Sequence, residues 1–296
     1  MPQAQLHDGS LVDVAIQGDG PTVLIPVNPR PVEGPQADEM RKWGADPALG
    51  RSLIDGLSDA FRVVAVDYEG HVLAAPKPDT LTPDTVVSDL LAVADAAGAD
   101  RFAYYGYSWL ALAGLQLAIR TDRLSGLAMG GFPPLGGPYA EMLRVTTATH
   151  GMAMSAPDPA TPTATASASA ATQSATQPAA GDDPDWSSVE VTLSPAQTGQ
   201  FVTLYRALQG FDDRAAQSRV ACPRLCFAGT ADDIDYGERW GGVQVSMAQP
   251  LIRHRAELEA AGWTVALLDG LDHTGAMQAA NVLSLLRPWL DAAVTA

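Results

Sequence analysis

Phe102-Ala103-Tyr104-Tyr105-Gly106-Tyr107-Ser108-Trp109-Leu110-Ala111 is an apolar, β-prone run that breaks at Gly-x-Ser. It gives way to Leu112-Ala113-Gly114-Leu115-Gln116-Leu117-Ala118, whose composition suits a buried helix. The stretch predicts a strand, a sharp turn and a helix, with Ser108 at the turn. A hydroxyl on such an elbow projects above the sheet, and the first N–H groups of the helix point at any anion formed beside it. A serine that only caps the helix fits the same position.

A Gly-x-Ser triplet is weak by itself, because both residues are common in turns. Its weight comes from partners further along the chain. Arg224-Leu225-Cys226-Phe227-Ala228-Gly229 reads as a strand, and Thr230-Ala231-Asp232-Asp233 places carboxylates just past its end. Thr264-Val265-Ala266-Leu267-Leu268 reads as another strand, and Asp269-Gly270-Leu271-Asp272-His273 delivers a histidine from the loop that follows.

With the order Ser, Asp, His, the chain resembles the α/β-hydrolases, whose triad lies on loops at one edge of a mostly parallel sheet. The resemblance covers nearly the whole chain. Residues 61–71 are similar to the strand and loop that often read D-x-R-G-H-G in that family. Gly229-x-x-Asp232 resembles its acid loop, and Gly270-Leu271-Asp272-His273 its histidine loop. The resemblance implies an α/β fold with a mostly parallel, doubly wound sheet of about eight strands, an antiparallel N-terminal edge and a helical lid insertion.

The same resemblance implies Ser108 as nucleophile, His273 as general base and Asp232 as the acid that orients the ring. Asp233 and Asp235 crowd the same loop. Family spacing favours Asp232, and Asp233 stays open. For the oxyanion hole it implies the N–H of Trp109 and that of Asn28, which follows the strand Thr22-Val23-Leu24-Ile25-Pro26-Val27. Pro29, the next residue, has no N–H to give. Two departures stand out: Leu110 occupies a place that is usually small, and Asn28-Pro29 stands where His-Gly is usual. Gly106, Ala111 and Gly114 are small, so the elbow packing is expected to persist with a local shift.

The implied activity is cleavage of a small carboxylic ester or lactone through an acyl-enzyme on Ser108. Acyl transfer and amide or iminopeptide cleavage use the same triad and stay open. A non-catalytic small-molecule-binding protein of hydrolase fold is the reading from another class, motivated by Leu110 and the Asn28-Pro29 loop.

A length of 296 residues with 47% hydrophobic side chains permits one α/β unit with a full core. The net charge of −16 argues against nucleic-acid and anionic-membrane partners, and leaves a small neutral or cationic substrate as the expected partner. Oligomeric state is not readable. Residues 1–10 carry neither a basic start nor an apolar stretch, and the expected location is cytoplasmic. Cys222 and Cys226 would lie about 13 Å apart on an extended strand, so they read as core thiols. The histidine spacings match no metal motif, and the glycine-rich pieces lack phosphate-loop spacing, so neither metal nor cofactor is expected.

Residues 1–132 and 216–296 are expected to form the hydrolase core, with 133–215 inserted as a lid. Within the insertion, about 155–185 is rich in Ala, Thr, Ser and Pro and is expected to be a disordered tether. Beyond it, Ser194-Pro195-Ala196-Gln197 opens a helix. That helix and the segment before the tether supply the expected roof, with Tyr139, Met142, Phe201 and Tyr205, together with Tyr107, as candidate pocket residues. Leu11 to Gln17 alternate as an edge hairpin, Thr82-Pro83-Asp84 opens a helix closed by Gly98, Pro250 opens one to Ala261, and residues 275–290 form the last.

Overall fold

The computed structural model describes residues 1–42, 44–155 and 191–294. Seven strands form the main sheet: β3 (Ala15–Gln17), β4 (Thr22–Ile25), β5 (Arg62–Ala65), β6 (Phe102–Tyr107), β7 (Leu124–Gly130), β8 (Arg224–Gly229) and β11 (Trp263–Leu268). Their order is β11-β8-β7-β6-β4-β5-β3, and every pairing is parallel except β3 against β5. Among the described residues, β1 (Gln3–Gln5) and β2 (Leu11–Asp13) stay outside this sheet and pair with each other as a separate ribbon. Buried Val14 then separates β2 from β3, which alone supplies the antiparallel edge.

β4 lies between β5 and β6. The chain leaves β4 towards one edge and leaves β6 towards the other, which makes the β4/β6 boundary the topological switch point. In open α/β sheets, ligands bind beyond the carboxyl ends of the strands at such a point. Ser108 follows β6 and Asn28 follows β4, so the fold sets both there.

All six residues of β6 are buried, and they alternate between the two faces of the sheet. Phe102 and Tyr104 join the core made with α4 (Pro83–Ala96) and α5 (Trp109–Ala118), whereas Ala103, Tyr105 and Tyr107 join the core beneath α2 (Leu49–Leu57). All ten residues of α5 are buried, which is why that helix is apolar on every side. α4 starts at a Thr82/Thr85 capping box with Pro83 in its first turn, as its sequence predicts, and Gly98 beyond it takes φ 63°.

Other boundaries differ from expectation. The loop expected after β5 folds instead as α3 (Tyr68–Ala74), because Asp67 caps it by accepting from the Gly70 N–H at 3.0 Å. The helix expected from Pro250 begins earlier and divides at His254 into α9 (Ala248–Arg253) and α10 (Arg255–Ala260). The last helix likewise divides into α11 (His273–Met277) and α12 (Ala279–Val294), because Gln278 turns to φ −56°, ψ 136°. Pro288 lies inside α12, and the helix runs on past it. An unpredicted hairpin, β9 (Asp233–Tyr236) and β10 (Val243–Ser246), follows β8.

The insertion between β7 and β8 contributes α6 (Tyr139–Ser155), α7 (Pro195–Ala207) and the short α8 (Asp213–Ala216). The expected tether lies outside the described residues but for Ser155. A Ser194/Gln197 capping box starts α7. One stripe of α7 then ties it to the core: Gln197 donates to the Leu73 carbonyl, Gln200 accepts from the Lys77 N–H, and Thr203 donates to the Pro78 carbonyl. Among the described residues, no helix is long and apolar enough to cross a membrane.

Candidate active site

Ser108 is the one residue other than glycine with positive φ among those described, at φ 57°, ψ −130°. Such a conformation is strained for any side chain with a Cβ and persists only where its surroundings impose it. Here the Ser108 N–H donates to the Gly130 carbonyl at 2.8 Å, while its own carbonyl accepts from the Ala111 N–H at 2.9 Å. Gly106 makes the turn possible, since a Cβ there would lie 2.3 Å from the Leu110 carbonyl oxygen. That carbonyl also accepts from the Tyr104 hydroxyl at 2.8 Å. It is therefore the backbone of Leu110 that presses on the strand, and its side chain packs into the core.

A capping serine would hold an extended backbone and bind an N–H of the first helical turn. Ser108 does neither. Its hydroxyl makes no hydrogen bond to any described residue, and it is 7% exposed.

The acid and histidine loops are pressed together. A Cβ at Gly229 would lie 2.0 Å from the Leu271 carbonyl oxygen. Thr230 and Ala231 donate their N–H groups across the gap to Leu268 and Leu271. Asp232 is thereby buried completely, and its Oδ2 meets His273 Nδ1 at 2.8 Å. Asp233 enters β9 opposite Ser246, and Asp235 is exposed opposite Gln244, so of the three aspartates only Asp232 is hydrogen-bonded to the histidine.

His273 is the first residue of α11, whose cap Asp272 accepts from the Gly275 N–H at 2.7 Å. Burial pushes the imidazole towards the neutral form, but the Asp232 charge and hydrogen bond outweigh it and raise its pKa above the ordinary value.

Tyr107 connects the two halves. Its hydroxyl donates to the His273 carbonyl at 2.7 Å, and the two ring centroids lie 5.0 Å apart. Gly131 (φ 61°) sits under both rings, where a Cβ would lie 2.6 Å from Tyr107 and 2.9 Å from His273 Cε1. His273 thus lies over Gly131, beside the residue that receives the Ser108 N–H. The Trp109 N–H opens α5, and the Asn28 N–H follows the adjacent strand; neither is taken up by a described residue. Asn28 is fixed by accepting from the Arg30 N–H at 3.0 Å and by the contact of its carbonyl with Gly50.

Of the expected pocket residues, Phe201 on α7 meets the elbow directly, edge-on to Trp109 at 5.5 Å. Tyr139 packs between Phe132 and Phe211, and Met142 and Tyr205 are buried in the same core. Sequence reading missed Glu69, whose carboxylate accepts from the Trp109 indole N–H at 3.1 Å, and Tyr68, whose ring lies 6.1 Å from that indole. The available signal was an acid standing where the resemblance carries an arginine.

The fold agrees with solved structures. No family model and no curated protein matches the chain. An enol-lactonase from Burkholderia xenovorans LB400 is 18% identical with a TM-score of 0.58, covering 98% of this chain and 100% of the other. A structure from work on carboxylesterases of the thaumarchaeon Nitrososphaera gargenis is 15% identical with a TM-score of 0.61, covering 99% of each chain. A structure from work on metagenomic epoxide hydrolases of the α/β-hydrolase superfamily is 18% identical with a TM-score of 0.52, covering 97% of each. The chain has the α/β-hydrolase fold. Its neighbours at this level of identity carry different chemistries, so function is argued from the site.

Proposed function

We propose that the protein is a serine hydrolase of small carboxylic esters or lactones. The observation that carries this reading is a buried Asp232–His273 pair beside a strained serine that caps nothing. His273 Nε2 takes the Ser108 proton as Oγ attacks the acyl carbonyl. Asp232 holds the other ring proton on Nδ1 and stabilises the imidazolium. The tetrahedral oxyanion is met by the N–H groups of Trp109 and Asn28. Collapse expels the alcohol, which leaves with the proton from His273, and water repeats the sequence on the acyl-enzyme.

α6 and α7 act as the roof over the acyl group, a role supported by the Phe201–Trp109 contact. The net charge of −16 supports a neutral or cationic small substrate. A second reading, a binding protein of the same fold, takes its support from the Ser108 hydroxyl, which is not hydrogen-bonded to His273. In resting enzymes that bond is often long and tightens only with substrate.

Fluorophosphonate labelling with peptide mapping separates the two. Label is expected on Ser108, with near-complete loss in Ser108→Ala and His273→Ala. Unlabelled wild-type protein that still binds a short acyl ester would establish the binding reading instead.

A further inference from the structure

Tyr107 precedes Ser108 on β6, and its phenol is spent on the histidine rather than on a pocket. The hydroxyl donates to the His273 main-chain carbonyl at 2.7 Å, and the phenol ring is tilted 58° to the imidazole. Phe227 on β8 backs the ring at 6.1 Å, and Gly131 leaves no room for either ring to slide. The residue next to the proposed nucleophile is therefore hydrogen-bonded to the main chain of the proposed base.

We propose that Tyr107 is a positioning residue for the base, fixing the main chain of His273 against the strand that carries Ser108. This rests on the reading of Ser108 and His273 as nucleophile and base. α11 is a single turn, and its cap Asp272 binds the Gly275 N–H within the same turn. Tyr107 supplies a fixed point from the sheet. Without the hydroxyl, the His273 main chain loses its bond to the sheet and the ring is free to tilt away from Asp232.

The charged and titratable groups that face the imidazole are Asp232 from the acid loop, Asp272 from its own turn and the Tyr107 phenol from β6. Burial holds that phenol neutral by raising its pKa far above the ordinary value. Loosening the Asp232 contact leaves burial as the stronger influence, so the histidine pKa should fall.

The test is Tyr107→Phe beside Tyr105→Phe. Tyr105 lies on the same face of β6 and stacks on Phe227 at 6.3 Å, and its hydroxyl makes no bond to His273. The readouts are kcat, KM, the pH dependence of kcat/KM and the titration of His273 followed by nitrogen NMR.

For Tyr107→Phe, kcat should fall roughly tenfold, short of the hundredfold that an ångström of misplacement costs. KM should stay within about twofold, and the histidine titration should move to lower pH. Tyr105→Phe should leave all of these unchanged. A Tyr107→Phe protein with wild-type kcat and an unmoved His273 titration overturns the proposal, whatever its thermal stability. So does an equal effect from Tyr105→Phe. If wild-type protein turns over no ester, the hydrolase reading fails separately. The titration still decides the coupling: moved in Tyr107→Phe it stands, unmoved it falls.

Discussion

Two histidine–aspartate pairs of nearly the same geometry, each with a buried aspartate, occur among the described residues, and they differ in what is left over. His7 Nδ1 lies 2.9 Å from Asp89 Oδ2, as His273 Nδ1 lies 2.8 Å from Asp232 Oδ2. Asp89 is saturated: Oδ1 accepts from the His7 N–H and Oδ2 also accepts from the Tyr68 hydroxyl. His7 Nε2 is occupied too, by Thr80 Oγ1 at 3.1 Å. Around the other pair, Asp232 Oδ1 is buried with no partner among the described residues, and His273 Nε2 bonds to none of them. A buried polar atom left unpaired costs about 1–3 kcal/mol, so a pair that serves only stability is expected to be closed, as at His7. The His7 pair fastens the N-terminal ribbon to α4. The His273 pair is left open, and the proposed mechanism uses that opening.

The sharpest way to break this contrast is the same substitution in both pairs. Asp232→Asn should lower kcat/KM by about 10⁴, because an amide in that place favours the wrong ring tautomer. Asp89→Asn should leave the kcat/KM of folded protein within about twofold and lower unfolding free energy by about 2–3 kcal/mol, since it misfits a buried, charge-assisted site. Ester kinetics and urea denaturation on the two variants read both effects. Equal kinetic damage from the two would show that the pairs do not divide the work in this way.

pH gives a second separation of the pairs. Burial opposes the His273 imidazolium, but Asp232 outweighs it, so the folded protein holds that proton to higher pH than the unfolded chain does. The stabilisation is complete below the ordinary histidine value and is lost as pH rises through the folded pKa. Hydrolysis needs the neutral ring. Between about pH 5 and 9, kcat/KM should therefore rise over the interval in which the His273 contribution to stability fades. Thermal midpoints and kcat/KM measured on the same samples check this. Asp89→Asn should leave the kinetic midpoint in place, whereas a protein whose activity and stability rise together with pH would contradict the assignment of His273 as base.

The contrast also marks what could be read from the chain. The β6 elbow, β8 and the capped start of α7 are local: an apolar run, a glycine that permits close approach and a Ser-Pro-x-Gln cap each carry their own signal. Spacing favoured Asp232 but left Asp233 open, because Asp233 is drawn away by β9, which begins there and pairs with a strand that composition did not reveal. The chain breaks at His254 and turns at Gln278 with no proline or glycine beside either residue to mark the place. The His7–Asp89 pair and its Tyr68 partner were unreadable for a plainer reason. His7 and Asp89 lie 82 positions apart, and no periodicity records a contact between a turn and a distant helix.

The smallest expected effect concerns strain, which the elbow stores and the His7 pair does not. Ser108 holds a positive φ with a Cβ attached, at a cost of order 1–3 kcal/mol, and its hydroxyl returns no hydrogen bond to offset it. Ser108→Ala keeps the Cβ and should leave stability nearly unchanged. Ser108→Gly relieves the backbone and gives back part of the gain, since glycine raises the entropy of the unfolded chain. The glycine variant should thus be more stable than the alanine variant by about 1 kcal/mol, although both are inactive. Urea denaturation of the two resolves the difference. Equal stabilities would mean that the turn relaxes once the hydroxyl is gone, and that the surroundings do not impose the conformation from which Ser108 is proposed to act.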